Sequence, residues 1–379
     1  MNVLINAISI VEGGGLVVLR ELLKEMREVD PKIIWYIAAP PSTLSHLSPS
    51  DRIVLLPNTW ANKSPLHLFC WYEFSLPQLI NQFNIELCFS KTNFLPRRKM
   101  KCPSLLLIHH AGFFSDEFEM LYLAWRRKRT ASFIWKQKKK WMNSSIKKAE
   151  HVTVQTIVLA DKIKNETKIT EKKISVIPHG TGMIDFYSEK IKSHSSGSFR
   201  IGYITKFGVQ KDFETAINAV RQLKAERYPV KLILTLETNS SDSLYHMMKD
   251  DDVTDVIENY GEVSDISNIK KIYESLHLFI FPSWCESFGF TLLEAMAFGL
   301  PVVASKSASN LEILGDEGEF FERGQAAQLV TSIKKMMLSQ ELFRRSSMVS
   351  INRAKQYSWN KTAKAMINLM HQIKENHGI

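Results

Sequence analysis

Residues Phe279–Ser305, FIFPSWCESFGFTLLEAMAFGLPVVAS, read as strand, loop, helix, stop and strand. Gly299 followed by Pro301 terminates a helix spanning about Phe290 to Phe298. The loop Ser287-Phe288-Gly289 therefore stands at a helix N-terminus. Backbone N–H groups there lack helical partners, and the helix dipole favours an anion such as a phosphate. Glu294 falls about five residues into the helix, roughly 7 Å along it at 1.5 Å per residue. With a diphosphate at the helix start, that carboxylate suits a ribose diol. Glu286, ahead of the helix, suits the hydroxyls of a sugar beyond the phosphates. Either glutamate alone reads more readily as a solvated helix residue. A Gly-containing loop, two spaced carboxylates and a small-residue helix together favour a nucleotide-sugar site.

The same alternation extends along the chain. Short apolar runs recur at Val3–Asn6, Ile33–Ile37, Ile53–Leu56, Glu86–Phe89, Ser104–His109, Val152–Gln155 and Ile174–Pro178. A second series follows at Phe199–Ile204, Val230–Leu236, Val253–Glu258, Leu276–Pro282, Pro301–Ala304 and Glu319–Glu322. Helical periodicity fills most gaps, as in Leu16–Arg27, Lys211–Ala225 and Gln325–Leu338. Buried strands alternating with amphipathic helices predict an α/β architecture with parallel sheets. The polar stretch Ser193-His194-Ser195-Ser196-Gly197-Ser198 is the best linker, dividing the chain into two halves. Ligands of such sheets bind beyond the strands' carboxyl ends, which places the expected site where the two halves face one another.

Length and composition agree. The chain has 379 residues, 45% hydrophobic and 23% charged, enough for two folded domains. The N-terminal stretch lacks a basic n-region, and no segment nears the ~20 apolar residues that span a bilayer. Cys70, Cys88, Cys102 and Cys285 include no C-x-x-C pair, so neither a disulfide framework nor a zinc site is expected. These features predict a cytoplasmic protein. The formal net charge is +10, and residues 121–149 hold ten Lys and Arg with no Asp or Glu. The excess is thus local. With Trp125, Trp135 and Trp141 interspersed, the segment reads either as a solvated helix face or as a docking surface for an anionic membrane. No recognition motif for nucleic acid accompanies it.

The opening stretch resembles the nucleotide-sugar signature of family 4 glycosyltransferases, retaining enzymes of the GT-B fold with two Rossmann-like doubly wound domains. Glu286 and Glu294 match the family's E-x7-E motif. The resemblance implies that Glu286 approaches the transferred sugar, that Glu294 approaches the ribose, and that backbone amides of Phe288 and Gly289 serve the sugar or diphosphate. Phe199–Val220 is similar to the family's segment carrying Arg-x4-Lys, here Lys206 and Lys211, two cations for the diphosphate. Lysine keeps the charge without arginine's planar fork. Gly261-Glu262-Val263-Ser264 resembles the family's G-x-V-S near the base, and Glu312 through Gly318 its later E-x-x-x-D-x-G stretch. Similarity covers most of residues 199–375.

The first half is less distinctive. Gly13-Gly14-Gly15 precedes a helix starting near Leu16 and does not complete G-x-G-x-x-G. The resemblance implies that Gly14 and Gly15 face the donor diphosphate and the acceptor. At His109-His110 the family often has His-Asp, so His109 is implied near the reacting sugar; the sequence leaves open which histidine faces the site. Thr153–Thr156 and Pro178-His179-Gly180 resemble inter-domain strands. Asp250-Asp251-Asp252 reads as a solvated acidic loop rather than a D-x-D metal site.

The expected organisation is an acceptor domain at 1–190, joined by a returning C-terminal helix at 360–379, and a donor domain at 199–358. The expected activity is retaining, metal-independent transfer of a hexose from a UDP- or GDP-linked sugar to a hydroxyl of a glycan or lipid-linked acceptor. Glu286, Lys211, Lys206 and His109 are the expected catalytic residues. Glu294, Ser287, Phe288, Gly289, Gly14, Gly15 and Gly261 are the expected binding residues. No cofactor beyond the sugar-nucleotide substrate is expected. The setting implied by the family is bacterial surface polysaccharide, lipopolysaccharide or capsule, with the enzyme at the inner face of the membrane. The rivals are a sugar-nucleotide epimerase on the same fold and a non-catalytic sugar-nucleotide-binding protein.

Overall fold

The computed structural model describes every residue except 49, 183–185, 194–196, 238–240, 251 and 379. The centre of the linker and the middle of the acidic triplet therefore lie outside the described residues. Contacts divide the chain into two units. The first holds residues 1–114, 126–180 and 358–379, the second residues 115–125 and 181–357. Residues 115–125 and 181–190, from the first half of the sequence, thus group with the second unit.

The first unit is built on a seven-stranded parallel sheet. Its strands are β1 (Asn2–Asn6), β2 (Ile34–Ala39), β3 (Ile53–Pro57), β4 (Leu87–Ser90), β5 (Ser104–Leu107), β6 (His151–Val154) and β7 (Ile174–Val176). The spatial order is β3-β2-β1-β4-β5-β6-β7, so the winding reverses between β1 and β4. Central strands such as Leu87–Ser90 are buried throughout, as a sheet covered on both faces demands. The C-terminal helix Trp359–Asn376 packs along Gly13–Val29. It is pinned by Asn360 to Glu25 at 3.2 Å, His371 to Asp30 at 2.9 Å and Lys374 to Glu86 at 2.5 Å.

The second unit repeats the plan with six parallel strands. They are β8 (Phe199–Tyr203), β9 (Val230–Leu234), β10 (Ile257–Asn259), β11 (Leu278–Phe281), β12 (Val302–Ser305) and β13 (Glu319–Phe321). The order β10-β9-β8-β11-β12-β13 reverses between β8 and β11. In a doubly wound sheet the loops leaving two such neighbours diverge to opposite faces and leave a crevice at their carboxyl ends. In the second unit those loops carry Lys206, Lys211 and Glu286.

Three expectations change. Val253–Glu258 is not one strand: Thr254–Val256 is a 3₁₀ turn, and β10 begins at Ile257. The buried residues Val253 and Val256 are three apart, which is the period of that turn. The triple glycine is not a loop before the first helix but its first turn, since the helix spans Gly13–Val29. Gly13 sits at φ +67°, a conformation open to glycine. Of the tryptophans of the basic segment, Trp125 is 51% exposed, whereas Trp135 and Trp141 pack inward. On the helix Arg129–Lys148, Trp135 is 4% exposed and stacks on Phe113 at 4.2 Å. Trp141 is half-buried, lying 4.7 Å from Phe94 and donating from Nε1 to Leu95 O at 2.9 Å. Helical periodicity turns Ala131, Trp135, Met142 and Ile146 inward.

Candidate donor site

β11 ends at Phe281, and the chain turns through Pro282–Gly289 into the helix Phe290–Ala297. Gly289 caps that helix at φ +79°, with no side chain to bond the first-turn amides. The helix closes on Gly299 at φ +69°: Gly299 N–H donates to Met296 O at 2.9 Å and Leu300 N–H to Ala295 O at 3.1 Å. Both bonds belong to the glycine-terminated helix end that the sequence predicts. Phe288 is 2% exposed, its ring 5.7 Å from Tyr357, and this anchors the loop at the helix start. The helix itself offers no acceptor to its first-turn N–H groups, which with the dipole makes this end attractive to an anion.

Glu286 and Lys211 meet at this end. The Lys211 Nζ donates to Glu286 Oε1, and both side chains are nearly buried. Ser283 Oγ donates to the same carboxylate oxygen at 2.6 Å. The two loops are stitched together: Trp284 N–H donates to Gln210 O and Asp212 N–H to Pro282 O, each at 2.9 Å. Beneath the ammonium lies the Phe281 ring at 4.9 Å, a cation–π contact. Ser305 Oγ accepts from Ser283 N–H at 3.1 Å and donates to Ser283 O at 2.6 Å, fixing the loop from β12. The pair thus sits in a preformed frame at the switch point.

Glu294 is 4% exposed, as are its neighbours Leu292, Leu293, Ala295 and Met296 within a few per cent. The helix is therefore enclosed on all sides, and a solvated-face explanation for Glu294 fails. Its Oε2 accepts from Tyr273 OH at 2.9 Å. A Cβ placed on Gly182 would lie 1.9 Å from its Oε1. Only glycine admits the carboxylate here.

The remaining residues of the second unit are looser. Lys206 forms an ion pair with Glu262 and about half of its side chain is exposed. It is placed beside Gly261, which sits at φ +69° with open space where a side chain would point. Ser287 is partly buried at the loop. Sequence reasoning missed Arg323, whose Nη1 donates to Trp284 O at 3.2 Å and lies 3.4 Å from Glu117 Oε1. It also missed Ser283, Ser305, Tyr273 and Gly182. Arg323, Ser305, Tyr273 and Gly182 act across elements distant in sequence, where no local spacing marks them, whereas Ser283 lies three residues from Glu286 in the same loop.

In the first unit, Gly14 and Gly15 lie in the first turn of Gly13–Val29, Gly14 exposed and Gly15 over Ile10. His109 lies two residues past β5, its Nε2 enclosed, with its ring 5.8 Å from His179. His110 turns instead toward Phe113 at 4.8 Å and Trp135 at 6.0 Å, and burial pulls its pKa down to about 4. Pro178 and Gly180 are structural: Thr362 Oγ1 donates to Pro178 O at 2.6 Å, and a side chain at Gly180 would strike the Trp359 backbone. Among the described residues, no group of three or more His, Cys, Asp or Glu could hold a metal ion.

Two doubly wound parallel domains define a GT-B type fold. Family models agree. "Glycosyltransferase Family 4" matches residues 12–181 and "Glycosyl transferases group 1" residues 187–357. The chain belongs to the family 4 glycosyltransferases.

Among curated proteins, it is 28% identical over 245 residues to an uncharacterized glycosyltransferase of Methanocaldococcus jannaschii, covering 59% of this chain and 61% of that one. It is 27% identical over 165 residues to the O-antigen chain mannosyltransferase RfbU of Salmonella typhimurium, covering 43% and 44%. The match to spinach sucrose-phosphate synthase spans 37% of this chain and 14% of that protein. The aligned stretches thus span less than two thirds of these relatives. Among solved structures, sucrose-phosphate synthase from Thermosynechococcus elongatus superposes with a TM-score of 0.77 at 15% identity, covering 98% of this chain and 99% of that one. WaaG, a glycosyltransferase of lipopolysaccharide biosynthesis, gives 0.71 at 11% identity, covering 98% and 99%. Anabaena HepE in complex with UDP-glucose gives 0.70 at 17%, covering 100% and 99%.

Proposed function

We propose that the protein is a retaining glycosyltransferase that moves a hexose from a nucleoside diphosphate sugar to a hydroxyl of a glycan or lipid-linked acceptor. The observation that carries this reading is the Lys211–Glu286 pair at the switch point, directly ahead of the helix that buries Glu294. The diphosphate rests at the helix start. Lys211 and Lys206 neutralise charge that grows on the leaving diphosphate, where fixed cations help most. Glu286 accepts bonds from the sugar, and Glu294, held by Tyr273, accepts from the ribose. As the bond from the anomeric carbon to the diphosphate breaks, the acceptor hydroxyl attacks on the same face and gives its proton to the departing phosphate, which retains the anomeric configuration. Substrate and leaving group are then handled by side chains and backbone, with no cofactor beyond the sugar nucleotide.

The donor is UDP- or GDP-linked. An O-antigen mannosyltransferase among the relatives and a UDP-glucose complex among the fold neighbours make mannose and glucose the first sugars to test. Thermal shift with a panel of sugar nucleotides tests the reading, since a ligand bound only to the folded state raises its melting temperature. One donor should give the largest shift, and a chelator should leave it unchanged. A panel without any shift would overturn the reading. An epimerase would interconvert its donor without acceptor, and nothing in the site favours that.

A membrane-facing role is supported by one feature of the first unit. On the helix Arg129–Lys148, Phe133 is 66% and Ile134 44% exposed, beside exposed Lys136 and Lys140. Apolar side chains flanked by cations suit an anionic lipid surface. No helix among the described residues is long and apolar enough to cross a membrane. We place the enzyme as peripheral at the cytoplasmic face.

A further inference from the structure

The first unit encloses a group of basic side chains that the proposed transfer leaves largely unused. Lys91, the first residue after β4, is 2% exposed, and its Nζ has no hydrogen-bond partner among the described residues. His109 Nε2 is likewise buried without one. His179 is 2% exposed, with its ring 5.8 Å from that of His109 and 5.4 Å from that of Trp359. Lys91 acts electrostatically on both histidines. All three stand past the carboxyl ends of parallel strands β4, β5 and β7.

The lysine is not enclosed by a loose loop. Its N–H donates to Asn6 O at 3.0 Å, tying it to the end of β1. Asn6 Nδ2 donates to Ser90 Oγ at 3.2 Å and to Thr92 Oγ1 at 3.3 Å, on either side of Lys91. Tyr72 OH bonds Thr92 Oγ1 from the segment Trp71–Ser75. Asn93, at φ +65°, accepts from His109 N–H at 2.7 Å and so couples the two loops. An unpaired buried ammonium costs several kcal/mol, so a pinned lysine without a counter-charge is expensive to keep. No carboxylate acts on Lys91, and burial holds its pKa well below the usual lysine range. The histidines are held down by burial first and by Lys91 next. Burial disfavours the charged form of all three groups, and a bound oxyanion would favour it.

We propose that Lys91, His109 and His179 form an oxyanion site of the first unit, which takes up protons as it binds a phosphoryl or similar tetrahedral anion. His109 is the most exposed residue of the three, with its Nε2 enclosed. The assignment uses residues of the first unit alone.

Sulfate is the informative probe, because a phosphoryl group itself titrates near pH 6 while sulfate stays fully charged. Calorimetric titration of the full chain with sodium sulfate, in buffers of different ionisation enthalpy, reads the protons taken up. The wild-type chain should bind sulfate with net uptake near pH 7, and inorganic phosphate should compete. Lys91→Met should weaken binding at least about tenfold, the loss expected for one charge-assisted hydrogen bond. It should also abolish the lysine's share of the uptake and melt higher without anion, because the unpaired amine is gone. If Lys91→Met does not fold, Lys91→Gln gives the same two binding readouts. Unchanged affinity and uptake in a folded Lys91 variant would overturn the proposal. So would loss of the uptake in Lys206→Ala with retention in Lys91→Met, an outcome that assigns the anion to the donor unit and leaves the transferase reading standing.

Discussion

Lys211 and Glu286 are joined by an ion pair across two loops that diverge at the sheet reversal, with side chains 11% and 12% exposed. Neither residue is near the other in sequence, yet both lie at the mouth of the crevice that the fold creates. Removing one partner leaves a nearly buried charge uncompensated. Lys211→Met should therefore cost about 3 kcal/mol of stability, read as a lower urea midpoint. Adding Glu286→Gln should recover part of that loss, because the stranded carboxylate is then neutral.

The Glu294–Tyr273 contact should matter to both folding and binding. Tyr273→Phe removes one hydrogen bond to a buried carboxylate and should cost about 1–3 kcal/mol. It should also weaken nucleotide diphosphate binding by calorimetry, since the carboxylate loses its orienting partner. Gly182→Ala should weaken binding as well, because the added methyl would overlap Glu294 Oε1.

Acid should destabilise the first unit through its buried histidines. Burial first, and Lys91 next, hold His179 at about 3, and burial holds His110 at about 4. In the unfolded chain both titrate near 6.5. Between those values the unfolded state binds more protons, so stability is complete above about pH 6.5 and falls as pH drops. Each histidine should cost about 2 kcal/mol between pH 7 and pH 5, at 1.36 kcal/mol per unit. Urea midpoints at the two pH values measure this, and His179→Gln should flatten the dependence.

Much of the fold was legible in the sequence because burial of a parallel strand needs a local apolar run. All seven strands of the first sheet and all six of the second lie where such runs occur. Gly299 marked its helix end because only that backbone conformation closes it. The 3₁₀ turn at Thr254–Val256 was misread because two buried valines look alike in a strand or a tight turn. The setting of Glu294 was not legible at all. Tyr273 and Gly182 reach it from 21 and 112 positions earlier, arithmetic visible only after folding. Trp135 misled for the same reason: its stacking partner Phe113 lies on another element.

The basic helix gives a separate test. Flotation with anionic vesicles should carry the wild-type chain upward, less so at high salt, since charge attraction is screened. Replacing both Phe133 and Ile134 by Asp should reduce flotation several-fold while leaving donor binding intact. Equal flotation of both proteins would remove the membrane role without touching the catalytic reading.

The central claim is that Glu286 serves the sugar during transfer. The decisive measurement is the rate of sugar transfer from the donor chosen by the panel to an acceptor-bearing membrane extract, for wild-type and Glu286→Gln chains. Loss of a transition-state contact of about 3–4 kcal/mol slows transfer by 10²–10³. The account predicts such a loss with donor binding largely retained. Transfer by Glu286→Gln at the wild-type rate would contradict it.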